Sequence, residues 1–312
     1  MQQEKSIWLH GLSALSIYTL LLLISVYLPV LALVGLLLAV VPIAWFRAKY
    51  SRINAVFLAI LGLLIAILLG GYIGLFIALV IVPVGWIIGD GLAERKSKVF
   101  IFVATALTLM VTSLMQILLA RVLFEANVIE LMIEQIRDTY TQVGDIMESA
   151  GQLPDNFNEI VASSLQTFSL VLPGYFIAVM FGTAWLYVAL ALPILRKLKV
   201  PVPRFTAFRH FQLPRAVIWY YLIVSLLSLL ATFEAGSFGE MVIVNAVFVF
   251  RALLFLQGIS LIHFYFHHQG WPKWGAVATT IVALPFYSIV VILGVIDLGF
   301  RLRAFIAASP KK

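Results

Sequence analysis

The stretch HFYFHHQGW places His263 and His267 four residues apart, with His268 beside them. Two imidazoles one helical turn apart can share a metal ion, but hydrolytic zinc chemistry also needs a third ligand and an activating carboxylate, as in HExxH. Neither accompanies these histidines, so the pattern predicts interfacial side chains and no metal. The 312 residues contain no cysteine, which removes disulfides, thiolate sites and cysteine nucleophiles. GxSxG, Walker A and dinucleotide fingerprints are also missing. The sequence therefore predicts no catalytic residue, no cofactor and no enzyme.

A different chemistry is offered by NAVFVFRALLFLQG, where Asn245, Arg251 and Gln257 interrupt an apolar run at six-residue intervals. An ionised residue at mid-bilayer costs roughly 2.5–3.5 kcal/mol on insertion scales, and such residues usually face a bundle interior or a wet cavity. At about 100° per residue, each six-residue step turns the polar group by about 240°, so the three point in three directions. A helix polar on three sides is expected among other helices or along a cavity. Glu234, Glu240 or an anionic ligand are the candidate partners of Arg251. The readings stay open: Arg251 snorkels outward or forms an ion pair that holds helices together, it makes a ligand contact with Asn245 and Gln257 as the other polar groups, or the span boundary is misread.

The elements that must position these residues are set by composition. Hydrophobic residues make up 63% and charged residues 11%, with a mean hydropathy of +1.07; a soluble domain has roughly 45–50% and 25%. The chain is an integral membrane protein whose solvent is the lipid bilayer. Its formal charge of +7 then reflects loops facing an anionic leaflet, with no nucleic-acid partner. About 20 apolar residues cross the hydrocarbon core. Runs of that kind cover residues 7–28, 30–46, 53–69, 72–89, 99–122, 170–195, 217–233, 241–264 and 276–296. The fold class is all-α, a polytopic transmembrane bundle of about nine spans, or eight if a late one is re-entrant.

Orientation follows the Lys and Arg bias of alternate loops. Arg47, Lys49 and Arg52, then Arg95, Lys96 and Lys98, then Arg196, Lys197, Lys199, Arg204, Arg209 and Arg215 mark the cytoplasmic side. The acids Glu125, Glu130, Glu134, Asp138, Asp145, Glu148, Asp155 and Glu159 collect on the other, with Glu234 and Glu240. The amino terminus is thus cytoplasmic. Nine spans would leave Arg301, Arg303, Lys311 and Lys312 outside, against the bias; either one late span is re-entrant, or the terminus is an exception, since the early helices usually dominate orientation.

Between the fifth and sixth spans, Ile129, Met132, Ile133, Ile136, Tyr140, Val143 and Met147 recur at helical spacing with acids around the other face. This predicts an external amphipathic helical hairpin over residues 123–169, turning at GQLPDN with Asp155 or Asn156 as cap. The loop RKLKVPVPRFTAFRHFQLPR mixes cations with Phe205, Phe208 and Phe211 and suits the headgroup layer. Gly85 and Gly89 form a GxxxG step, and Asp90 beside them can cap or pair. The short span after Pro29, with Pro42 inside it, is interrupted in the way that marks binding sites in transporters. Three regions result: residues 1–195 as a six-span bundle with its hairpin, 196–216 as a basic loop, and 217–312 as further membrane helices.

The order LPVLALVGLLLAVVPIAWFRAKYS, GGYIGLFIALVIVPVGWIIGDGL, LPGYF with RKLKVPVPRF, and NAVFVFRALLFLQGISLIHF before LGVIDLGFRLR resembles the bacterial YybS-type membrane proteins, over most of the chain. That family is similar, in its first six spans, to the substrate-binding subunits of energy-coupling-factor transporters. The resemblance implies a six-helix unit with both ends cytoplasmic. In those subunits an AxxxA-like face on the first helix docks the energising partner; here GLSALSIYTLL offers Gly11, Ser13, Ala14 and Ser16 instead. The expected role is a non-enzymatic small-molecule binding or transport component of the bacterial cytoplasmic membrane. The alternative implied by the resemblance is a structural or regulatory partner of another membrane protein, such as a membrane-anchored cyclic-dinucleotide phosphodiesterase, carrying no substrate.

Overall fold

The computed structural model describes residues 2–203, 207–300 and 302–308. Arg204, Phe205, Arg301, Lys311 and Lys312, counted above among the loop and tail residues, lie outside the described residues. Among the described residues there is no strand, and six helices are long and apolar enough to cross a membrane, or up to seven if a bent pair is one span. The chain forms two compact units, Met1–Met132 with Val179–Arg204, and Ile133–Ala178 with Phe205–Lys312.

In the first unit, α1 (Gln2–Tyr27) is one apolar rod, and the run after it is broken as its prolines predict. A 3-10 turn at Pro29–Leu31 leads into α2 (Ala32–Leu38), and Ala39 separates this from α3 (Val40–Lys49). The next helix, α4 (Arg52–Ala93), holds both runs the sequence separates at GGY. It doubles back at Gly71, whose φ of 54° lies in the left-handed region that a side chain resists. A Cβ on Gly74 would sit 2.1 Å from the carbonyl oxygen of Ala66. Residues eight apart in a straight helix are separated by about 12 Å, so the arms are antiparallel. Each is about 30 Å long at 1.5 Å per residue, enough for the hydrocarbon core.

The GxxxG step does what its small residues permit. A Cβ on Gly85 would meet Ile43 Cβ at 2.7 Å, and one on Gly89 the Ala44 carbonyl oxygen at 2.6 Å. α3 and α4 therefore touch backbone to backbone. Asp90, one residue on, bonds the buried Arg47 and also Arg52, at 3.1 Å, and Arg52 reaches Glu94. The unit is completed by α5 (Lys98–Phe124), capped by Ser97, and by the last part of α7 (Phe157–Lys197), which buries Leu192 and Leu195 in the same core as Tyr18, Ile43 and Ile88.

The second unit contains most of α6 (Val128–Ser149) and the first half of α7. They form the expected hairpin: Phe157 covers Gly144, where a Cβ would lie 2.8 Å from its ring, and Asn156 stands at the cap position with its carbonyl accepting from the Ile160 amide at 3.0 Å. α8 (Ala216–Leu230) is 15 residues, about 22 Å, and stops short of the predicted 233. The axis of the unit is α9 (Phe238–His268), 31 residues and about 46 Å long.

The run at 276–296 is not one straight span. α10 (Lys273–Ala283) and α11 (Tyr287–Phe300) meet at a 116° bend. Pro285 sits in the break, where it supplies no N–H and its ring opposes a continuing helix. α10 runs antiparallel along α9: Gly275 faces Phe266, Thr280 bonds His263 Nε2 at 2.8 Å, and Ala283 packs on Ile259. After the bend, Tyr287 stacks on Phe255 with ring centroids 4.9 Å apart. α11 then crosses α9 where a Cβ on Gly294 would be 2.0 Å from the Leu254 carbonyl oxygen. α12 (Leu302–Ala308) returns Arg303 to Ser260 and to the face of Phe264. The segment thus begins and ends beside the same end of α9, and its tip lies beside the middle.

Candidate functional site

The polar residues of α9 point three ways, as their spacing requires, and the structure does not gather them into one pocket. Asn245 faces α7. Its side-chain oxygen accepts from the Gly174 amide at 2.5 Å, and its amide nitrogen donates to the carbonyls of Leu170 at 2.6 Å and Met241 at 2.7 Å. Gly174 and Leu170 are the pair a regular helix would bond to each other, next to Pro173, which brings no donor. Asn245 ties two helices together at that weak point, as neighbours do for proline-containing membrane helices.

Arg251 faces the tip of the bent segment. One guanidinium nitrogen donates to Ser288 Oγ at 3.3 Å, and the group lies 5.6 Å from the centroid of the Tyr287 ring. Nε is buried and has no hydrogen-bond partner among the described residues. The expected acids are elsewhere: the Glu240 carboxylate accepts from the Gly236 amide at 2.6 Å, while its backbone amide donates to the Ser237 cap hydroxyl at 3.2 Å. Among the described residues no carboxylate, Glu234 and Glu240 included, is within ion-pair distance of Arg251. The pairing expected from sequence is replaced by a hydroxyl and an aromatic face, because the helix break brings Ser288 and Tyr287 to this depth.

Gln257 is fully buried at the foot of the same segment. It donates to Asp297 Oδ2 at 2.5 Å and accepts from the Leu213 amide at 2.9 Å. Arg303 Nε donates to the same Oδ2 at 3.0 Å, while its other nitrogens reach the Arg209 carbonyl at 2.7 Å and Ser260 Oγ at 3.1 Å. Ser260 in turn donates toward the carbonyls of Phe208 and Phe211. These bonds fasten the chain at 208–213 to α9, α11 and α12. Asp297 is 1% exposed, and its second oxygen, Oδ1, is buried and has no hydrogen-bond partner among the described residues. It borders a cavity of about 250 Å³ shared with Gln212, Leu213, Arg215, Leu298, Arg303 and Ala304.

Asp297 and Arg303 escaped the sequence reading, which placed one just past a span and used the other only as an orientation charge. The available signal was a single acid in VVILGVIDLGF, an apolar run. Its partners are distant in sequence and no spacing rule connects them. A second hollow, of about 380 Å³, lies between α6 and α7 and is lined by Tyr140, Ser163, Ser164, Thr167, Phe168, Val171 and Tyr175.

Long apolar helices, a helix broken at the level of an arginine, and a buried polar cluster define a polytopic α-helical membrane protein. The chain belongs to the family described as Predicted membrane protein (DUF2232), whose model matches residues 16–298. It is 25% identical to the Uncharacterized protein YybS of Bacillus subtilis (strain 168) over 312 residues, covering 97% of this chain and 99% of that protein. No solved structure matches the chain.

Proposed function

We propose that this protein is a non-enzymatic small-molecule binding or transport component of the bacterial cytoplasmic membrane, and that Arg251 receives an anionic group of its ligand. The amino terminus and the 196–215 loop face the cytoplasm in this reading, and residues 7–195 form the six-span unit implied by the resemblance to substrate-binding subunits. α10 and α11 form a re-entrant hairpin that enters and leaves on the cytoplasmic side, which also returns Arg303 to that side as the positive-inside bias demands.

One observation carries the proposal: a helix break and an arginine without a carboxylate meet at the same level, beside the midpoint of a membrane-length helix. Irregular backbone at membrane depth is tolerated where it is buried in protein or lines a cavity, and broken helices build the central sites of many transporters. The Tyr287 face contributes about 2 kcal/mol if fully desolvated, comparable to the insertion cost of roughly 2.5–3.5 kcal/mol. Stability alone is therefore nearly balanced. The hydrogen-bonding capacity is not: of five guanidinium N–H groups, one bonds Ser288. A carboxylate or phosphate oxygen would use the others in the forked geometry that arginine favours.

The test is native mass spectrometry of wild-type protein and of Arg251→Lys and Arg251→Ala, each checked for cooperative thermal unfolding. Wild type should retain an anionic small molecule that Arg251→Ala loses and Arg251→Lys holds more weakly. Folded variants with an unchanged ligand spectrum, or a wild type that carries only partner subunits, would defeat the reading.

A further inference from the structure

We infer that two copies of this chain pair through α6, as a short parallel coiled coil outside the membrane. The inference does not depend on a ligand at Arg251. The apolar arc of α6 is wider than α7 covers. Gly144 lies under the Phe157 ring and Tyr140 borders the hollow between α6 and α7, so this side of the helix faces its own chain. A second strip, formed by Ile129, Met132, Ile136, Thr139, Val143 and Ile146, lies about 100° further round the helix. Of these, Ile129, Met132, Val143 and Ile146 are 42–68% exposed. The steps alternate between three and four residues, the heptad spacing that keeps one seam against a second helix. Ile129, Ile136 and Val143 take the a positions, and Met132, Thr139 and Ile146 the d positions. All three a residues are β-branched, which suits a parallel pair. Thr139 turns its hydroxyl back to the Gln135 carbonyl at 2.9 Å, so the polar d position brings no unpaired donor to the seam.

Charge identifies what covers the strip. Glu130, Glu134, Arg137, Asp138, Asp145 and Glu148 all fall at b, c or f, away from the seam. In a parallel pair, g of one copy flanks e of the other, which brings Gln135 to Tyr140 and Gln142 to Met147. Two copies of an acidic helix therefore meet without opposing like charges. An anionic lipid surface is a poor cover, because the helix carries five acids and one base, whereas helices that lie on lipid present cations on their polar face. The direction also agrees. α7 is unbroken from Phe157 to Lys197, 41 residues and about 61 Å, twice the hydrocarbon thickness, so the hairpin stands out from the membrane. Two chains related by a twofold axis along the membrane normal then set their α6 helices parallel. The 22 residues of α6 are short for an isolated coil, but tethering both copies in one membrane raises their effective concentration.

Single cysteines in this cysteine-free chain test the register in native membranes. Thr139→Cys and Val143→Cys, on the seam, should give a disulfide-linked dimer on mild oxidation, because seam residues of a parallel pair face their counterparts. Glu134→Cys and Asp145→Cys, on the outer side, should stay monomeric. A second measurement uses charge at the exposed Val143, with the full-length protein in phosphatidylethanolamine–phosphatidylglycerol vesicles and subunits counted by single-molecule photobleaching. Val143→Glu and Val143→Lys, each alone, should raise the dimer dissociation constant about tenfold or more, since like charges then oppose across the seam. An equal mixture of the two should pair again as a heterodimer, which a variant that merely failed to fold would not do. Equal cross-linking of seam and outer cysteines, a cross-linked band with the mass of a different protein, or a wild type that is monomeric in vesicles overturns the proposal. Undiminished pairing of Val143→Glu, or a mixture that does not recover, does so as well.

Discussion

At the level of single residues, α9 shows how one membrane helix can carry three polar groups with three different duties. Asn245 completes the backbone of a neighbour, Arg251 meets a helix break, and Gln257 joins a buried carboxylate to a loop. The first duty is structural and its worth can be bounded. Interhelical side-chain hydrogen bonds in membranes average about 0.6 kcal/mol and reach roughly 1.7. Asn245 makes contacts on both sides of a helical hydrogen-bond pair beside Pro173, so Asn245→Ala should lower stability by about 1–2 kcal/mol. Reversible unfolding in mixed micelles would show it, and a loss below the error of that measurement would mean that Gly174 and Leu170 need no help. Asn245 and Gln257 were visible in sequence as polar intrusions. Their partners on other elements were not, because the acceptor or donor in each case is backbone or a side chain 40 or more positions away.

Elements meet where glycine removes the side chain between them. Gly258 and Gly294 let α9 and α11 cross so closely that an added Cβ would lie 2.2 Å from the Val290 carbonyl oxygen in one case and 2.0 Å from that of Leu254 in the other. No rotamer change relieves a clash with backbone. Gly294→Val should therefore separate the two helices, pull Asp297 from Gln257 and reduce the yield of folded protein, measured by fluorescence-detected size exclusion. Gly182→Ala is the matching control: nothing lies within 4 Å of a Cβ there, and helix propensity favours alanine by up to about 1 kcal/mol. A Gly294→Val protein as well behaved as Gly182→Ala would show that the crossing is dispensable. The Gly85–Gly89 step was legible as a close approach, whereas Gly258 and Gly294 form no GxxxG step and sit in separate helices.

For the whole molecule, the native lack of cysteine makes topology directly measurable, because each introduced cysteine is the sole thiol. Single cysteines at Gln152 in the α6–α7 turn, at Ala207 and at Ala307 should divide into two classes when whole cells are treated with an impermeant maleimide. Only Gln152 should react from outside. Labelling of Ala307 from outside would make 276–296 a full crossing and remove the re-entrant hairpin from the proposed function. Arg251 would then no longer lie at its tip.

Composition alone determined that the chain lives in lipid, because no soluble fold requires so apolar a sequence; periodicity determined the amphipathic helical hairpin, and the length of apolar runs most of the long helices. These are local properties, written within 20 or so neighbouring residues. The tertiary structure decided what local pattern could not. It showed that one apolar run is two helices set at a wide angle, that Arg251 meets Ser288 and Tyr287 in place of a glutamate, and that Asp297 and Arg303 form a buried cluster with Gln257 and Ser260. The reason is physical: lipid offers a polar group no water, so its partner is chosen by which helix packs alongside, and that choice is made by contacts far apart in the chain.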